Sequence, residues 1–255
     1  EAIDLEAQKV IDASGYTVSP GFIDIHGNSE WTLTTNNKGE SKIRQGVTTE
    51  VQGHCGFSAA PVRKENKHHL LSYLANTALL TDEEKAKWNW NSQAQFINEE
   101  IGAKGTPFNI APMVGHGTIK IAVMGFEKRE PTENELAQMV ELLKNELDHG
   151  LFGMSSGLQY EPGFYASEKE IHTLAKVLHE YDRVYTTHMR SEGREVFASI
   201  EESINVANNT GCSVLITHLK LSHQPHWGQA DRALELIDDA RNRGLEVDFD
   251  IYPYA

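Results

Sequence analysis

The sequence predicts an α/β chain wound as a (β/α)8, TIM-type barrel, and three observations carry that prediction. Seven short apolar runs bounded by turn residues recur at Phe22 to Ile25, Thr48 to Gln52, Asn109 to Val114, Gly153 to Ser156, Val184 to Thr187, Val214 to Thr217 and Glu246 to Ile251; runs of this kind read as buried strands. Helical stripes fill the gaps between the later runs. Nearly every run also ends, on its C-terminal side, in residues able to do chemistry: Asp24 and His26, His54 and Cys55, His116, Ser155 and Ser156, His188 and Arg190, His218 and Lys220, then Tyr252.

The helices follow in order. Thr132 with Glu135 is a capping-box signature, and Leu136, Met139, Val140, Leu143 and Leu147 then form one apolar stripe before Gly150. Ser167 with Glu170 repeats the signal ahead of Ile171, Leu174, Ala175 and Leu178. A third stripe (Val196, Ile200, Ile204, Ala207) ends near Gly211 and a fourth (Ala230, Ala233, Leu234, Ile237) at Gly244. The last four strands start about 31 residues apart, the length of a strand, a crossover helix and two loops. Repeated β/α units make a parallel sheet, and side chains from six or seven strand ends converge on one point only if that sheet curls into a ring.

Seven strands do not close such a ring, so an eighth is expected beyond Ala255. The barrel is expected over residues 19–255. Residues 1–18, with Ile3, Leu5 and Val10 alternating with polar neighbours, read as the strand remnant of a small β-domain. No Met stands first, and the sequence reads as a piece of a longer one. An insertion at 62–106 is too long for a simple crossover; Leu70 to Leu80 and Phe96 to Ile101 suggest two helices around Trp88 and Trp90, serving either as a lid or as a packing element.

Composition narrows the function. The chain has 255 residues, 39% of them hydrophobic, enough for a large core. Its 37 acidic against 23 basic residues give −14, which would repel a phosphate backbone or an anionic membrane, so neither is expected as a partner. Two cysteines, Cys55 and Cys212, are too few for a disulfide scaffold and point to free thiols in a reducing cytoplasm. No apolar run approaches the ~20 residues of a membrane span.

Cys55, His188 and His218 each stand at the end of a different strand. One thiolate and two imidazoles suit Zn2+, with a position left open for water. His54, next to Cys55, should point to the opposite face and play a supporting part. His116, in the turn between Gly115 and Gly117, either touches substrate or serves the turn. The remaining histidines read as solvent-facing.

At these residues a family resemblance emerges. Pro20-Gly21-Phe22-Ile23-Asp24-Ile25-His26 resembles the opening strand of the amidohydrolase superfamily. The segment Gly53-His54-Cys55-Gly56-Phe57-Ser58-Ala59-Ala60-Pro61 is similar to that of N-acyl-D-amino-acid deacylases (D-aminoacylases), and so are Gly115 to Thr118, Gly153 to Tyr160, Thr187 to Arg190, Thr217 to Lys220 and Asp250 to Tyr254. The fourth strand lacks the bridging lysine of most amidohydrolases, and Cys55 takes its place.

The resemblance implies a zinc-dependent deacylase on an amidohydrolase barrel. It implies one tight zinc site from Cys55, His188 and His218, and a weaker one from an H-x-H pair of which only His26 is present, Asn28 standing for the second histidine. The second metal should therefore be weak or absent. Lys220, two residues past His218, is assigned to the carboxylate of a small substrate, with Tyr160 and Tyr252 as hydroxyl donors. The family's general-base aspartate falls beyond Ala255, so the catalytic residue is not in this sequence, and the chain alone should be nearly inactive. Oligomerisation is left open. Two rival readings stand: hydrolysis of a cyclic amide of the dihydroorotase or hydantoinase kind, and a metal-binding pseudoenzyme, which Asn28 favours.

Overall fold

The computed structural model describes residues 7–252 apart from Asn76 and Leu79. Among the described residues seven strands form one sheet: β1 (Phe22–Asp24), β2 (Val47–Gln52), β3 (Asn109–Gly115), β4 (Gly153–Gly157), β5 (Val184–His188), β6 (Val214–Ile216) and β7 (Val247–Phe249). They lie in sequence order and every pairing is parallel. Each coincides with an apolar run of the sequence. The sheet curls: His26, just past β1, meets Asp250, just past β7, at 3.0 Å although these are its two outer strands.

The helices are α1 (Glu30–Leu33), α2 (Glu40–Ile43), α3 (Lys67–Leu74), α4 (Asp82–Lys87), α5 (Gln93–Phe96), α6 (His116–Met124), α7 (Glu133–Asp148), α8 (Glu168–Glu180), α9 (Val196–Thr210) and α10 (Ala230–Asn242). Helix α7 opens on the expected capping box, the Thr132 hydroxyl accepting from the Glu135 N–H while the Glu135 carboxylate accepts from the Thr132 N–H. At α8 only half of that device forms. Ser167 caps the Glu170 N–H, but the Glu170 carboxylate turns away to meet His116 and Lys120. Helix α9 stops where Gly211 takes a left-handed conformation, φ 73°, a region a Cβ disfavours. The apolar stripes of α7 to α10 pack on β3 to β7 in one core that includes Leu143, Met154, Leu174, Ile200, Ile216 and Ile237.

The insertion builds a second core. Trp88, Trp90, Phe96, Leu70 and Leu74 pack with Trp31 of α1 and Ile121 of α6, and the Trp88 indole N–H donates to the Ala59 carbonyl at 2.7 Å. Its helices act as the packing element, wedged beside the β2–β3 wall. The apolar piece Phe96 to Ile101 continues α5 as a wider π turn over Ile97–Ile101.

At the N-terminus, residues 7–18 contain a turn and no strand, with Val10 and Val18 about four-fifths exposed. Ile3 and Leu5 lie outside the described residues, as do Pro253, Tyr254 and Ala255. No helix of the described residues is long and apolar enough to cross a membrane.

Candidate metal centre

The site is assembled at the C-terminal ends of the strands, because a parallel ring sends every strand's exit to one face. After β2 the chain turns sharply through Gly53 (φ 84°), Cys55 (φ 56°) and Gly56 (φ 81°), which lifts the Cys55 thiol to the mouth. Its Sγ lies 3.6 Å from His26 Nε2 and 3.5 Å from His218 Nε2. Donors bound to one tetrahedral cation, with bonds of ~2.3 Å to sulfur and ~2.0 Å to nitrogen, stand roughly 3.5 Å apart. The spacing therefore fits a shared ion.

Both rings are held from behind by carboxylates. His26 Nδ1 meets Asp250 Oδ2 at 3.0 Å, and His218 Nδ1 meets Glu192 Oε1 at 2.6 Å. A carboxylate only accepts, so a hydrogen on each Nδ1 satisfies it and leaves each Nε2 lone pair facing the thiol, the orientation of metal-binding histidines, with the Lys220 ammonium also 3.1 Å from His218 Nδ1 and sharing Glu192 with it. Asp250 also accepts from the His218 backbone N–H, which couples the two rings.

The electrostatics follow from the geometry. Burial pushes the Cys55 thiol up to about 12, with the Asp250 and Glu192 charges adding to it. A cation arriving there must displace that proton. Burial opposes ionisation of Glu192, yet hydrogen bonds from His218 and Lys220 outweigh it and bring its carboxyl down to about 2. Asp250 is likewise held below its ordinary value, the His26 and His218 contacts overcoming its burial. Burial, assisted by His218, lowers His188 to about 4, so its ring is neutral at pH 7 and able to bind a metal.

Of the residues expected at the site, Cys55, His218 and His26 converge directly. His188 stands against His218, ring centroids 4.5 Å apart, but its Nε2 is engaged with Gln159 Oε1 at 2.8 Å. It groups with Glu192 and His218 rather than with Cys55. The Lys220 ammonium donates to Glu192 and sits 5.5 Å from the centre of the Tyr252 ring. The Tyr160 hydroxyl donates to the Cys55 carbonyl, and its ring stacks on Phe57. Asn28 is exposed. His54 is fully buried and stacks on His26 at 4.0 Å, the supporting place its position implied. Of the two readings of His116, the structure favours the local one: it opens α6, fully buried and bonded to Glu170 at 2.7 Å. The intervening Gly117 lets Tyr73 approach, where any Cβ would collide with its hydroxyl.

Two residues escaped the sequence reading. Asp250 opens the Asp250 to Tyr254 motif and lies near the C-terminal end of the last apolar run, a signal that could have singled it out. Glu192, in a loop four residues past His188, left none.

The sequence matches the model of the Amidohydrolase family over residues 9–249. The chain belongs to that family. The resemblance to N-acyl-D-amino-acid deacylases within it also holds. The chain is 34% identical to an N-acyl-D-glutamate deacylase of Alcaligenes xylosoxydans xylosoxydans over 97% of its length and 49% of the relative's. It is 34% identical to a D-aminoacylase of the same organism over 99% and 50%. Among solved structures it resembles the N-acyl-D-glutamate deacylase of Bordetella bronchiseptica complexed with zinc and a phosphonate mimic of the tetrahedral intermediate, with TM-score 0.82, 34% identity, and 92% of this chain against 48% of that one. A D-aminoacylase crystal structure gives TM-score 0.79 at 32% identity, again over 92% and 48%. An L-hydantoinase, at 16% identity and TM-score 0.55, shares the fold alone. The chain thus spans about half the length of the relatives it matches.

Proposed function

We propose that the protein is a zinc-dependent enzyme that hydrolyses the amide bond of N-acyl-D-amino acids. One observation carries the reading: two imidazole Nε2 atoms face one thiol, each ring tied at Nδ1 to a carboxylate. Cys55, His188 and His218 would hold the tight ion, His188 turning from Gln159 and leaving a position open for water, while His26, beside the same thiol, would be the one imidazole of the weaker site. A bound zinc ion activates water at neutral pH and polarises the scissile carbonyl. Asp250 and Glu192 keep the ligand rings in the Nδ1–H form and raise their basicity. Lys220 offers its ammonium to the substrate carboxylate, exchanging part of its contact with Glu192, while Tyr252 flanks it. Tyr160 acts by holding the Cys55 carbonyl, and its hydroxyl reaches substrate only by releasing that bond. One tight cation site is proposed and a second weak or absent one, because Asn28 offers an amide where an imidazole would be needed. The D configuration and the acyl-amino-acid class follow the deacylase relatives. The two thiols, both unpaired, suit the cytoplasm. We keep residues 19–255 as the barrel with its insertion at 62–106, and 1–18 as belonging to a small β-domain.

The test is a zinc determination on the full-length protein beside hydrolysis of N-acetyl-D- and L-amino acids, hydantoin and dihydroorotate. Zinc-dependent release of D-amino acids is expected; turnover of the cyclic amides instead would overturn the reading. Cys55→Ala should lose the tightly bound zinc. Lys220→Ala should keep it and raise KM about tenfold, the size of one charge-assisted contact. An inactive parent revived by Asn28→His would identify a pseudoenzyme.

A further inference from the structure

We propose that Ser155 is a positioning residue, whose buried hydroxyl locks the backbone on both sides of Cys55 in the turn that aims the thiol at the two imidazoles. The inference rests on the metal-centre reading above. Ser155 is completely buried on β4, and its Oγ makes two bonds to the loop after β2: it donates to the Gly53 carbonyl at 2.5 Å and accepts from the Gly56 N–H at 2.9 Å. Those two groups flank Cys55, so a single hydroxyl joins the start of the turn to its end.

The turn needs such a lock. Cys55 has φ 56°, a left-handed conformation in which its Cβ crowds the backbone; the same geometry is free of that cost only at the glycines on either side. A residue keeps a disfavoured conformation when its surroundings over-determine it. Removing the Ser155 hydroxyl leaves a buried carbonyl and a buried N–H without partners, and the loop then relaxes to find others. Two tyrosine hydroxyls also hold the same loop, each at one end of the turn, Tyr73 donating to the Gly56 carbonyl at 3.1 Å and Tyr160 to the Cys55 carbonyl. Neither of these bonds spans the turn.

Ser156 provides a contrast within the same strand. It is equally buried, but its hydroxyl goes to Tyr185 at 2.6 Å and Thr187 at 2.9 Å and contacts none of the Cys55 loop.

The experiment uses the full-length protein loaded with Zn2+ or Co2+, in the parent, Ser155→Ala, Ser155→Gly and Ser156→Ala forms. The readouts are metal affinity by competition titration, the thiolate-to-cobalt charge-transfer band, and thermal unfolding. Ser155→Ala is expected to weaken metal binding 10- to 100-fold, the range for residues that orient ligands, and to shift or weaken the band. Ser156→Ala should lower the melting temperature while leaving affinity and band at parent values. Ser155→Gly, which removes the same hydroxyl by a second route, should weaken binding and perturb the band as Ser155→Ala does, and it decides the matter should Ser155→Ala not fold. Parent-like affinity and band in Ser155→Ala, or in Ser155→Gly if that variant must decide, would overturn the proposal; so would equal losses in Ser155→Ala and Ser156→Ala, which would mean general damage to β4. A parent that binds no metal overturns the underlying reading instead.

Discussion

His218 and His116 both stand where a strand ends, and both rest on a glutamate, Glu192 at 2.6 Å and Glu170 at 2.7 Å. In each pair a lysine completes the cluster, Lys220 on Glu192 and Lys120 on Glu170. The difference lies in which nitrogen is tied and what the other one faces. His218 is held through Nδ1, is partly open to solvent, and points Nε2 at a thiol. His116 is held through Nε2, is wholly enclosed, and its Nδ1 has no hydrogen-bond partner among the described residues. The first arrangement offers a lone pair where a cation can arrive; the second is a dry staple between α6 and α8. Residue types alone do not separate a site from a staple.

The comparison can be broken most forcefully at the staple. Glu170→Ala strands the Lys120 ammonium in the interior, and losing one partner of a buried pair costs about 3–5 kcal/mol. Denaturant unfolding should show that loss, while the folded fraction keeps its zinc stoichiometry. Reduced zinc binding at unchanged stability would mean that the staple belongs to the site after all.

Glu146 sharpens the contrast, being a buried carboxylate without a cation in contact. It accepts the Gln93 N–H at 3.0 Å, and burial pushes it up to about 7 from an ordinary 4.5, whereas at Glu170 the His116 and Lys120 contacts outweigh burial and lower it. The folded state thus keeps this proton over a range where the unfolded chain has released it. Stability from this group is full below about pH 4.5, falls as pH rises toward 7, and is lost above that. The difference is on the order of 3 kcal/mol. Glu146→Gln should flatten the decline in unfolding free energy between pH 5 and pH 8 relative to the parent. Parallel profiles would show that Glu146 ionises normally.

At the site the expected effect is smaller. Asp250→Asn preserves an acceptor for His26 Nδ1 but removes the charge that makes the ring a better ligand. Zinc affinity should fall about tenfold by chelator competition, the lower end of the range for such partners. Unchanged affinity would reduce Asp250 to a spacer.

The inner strands β3 to β6 were legible because burial on both faces makes them short apolar runs, and α7 to α10 because each buries one apolar stripe. Helix α8 shows where local reading stops. Ser167 and Glu170 write a capping box, but a buried lysine and histidine 50 or more positions earlier draw the carboxylate away. At the site, Cys55 and His218 could be named from their strand ends alone. The pairing of His26 with Cys55, and of His188 with Gln159, could not, because it depends on how far each loop carries its side chain past the strand. Glu192 was invisible for the same reason: a loop glutamate in an acidic chain looks like any other until it lies under His218.

The order of amino acids, taken alone, determined the alternation of strand and helix, the gathering of chemistry at strand ends, and the supply of one sulfur and several imidazoles for a metal. Those follow from periodicity and residue type, which are local. Only the tertiary structure decided which nitrogens face the thiol, which carboxylates orient them, and which histidine is sealed in the core. Those depend on distances of 2.6 to 3.6 Å between residues as much as 224 positions apart, and no pattern along the chain encodes such a distance.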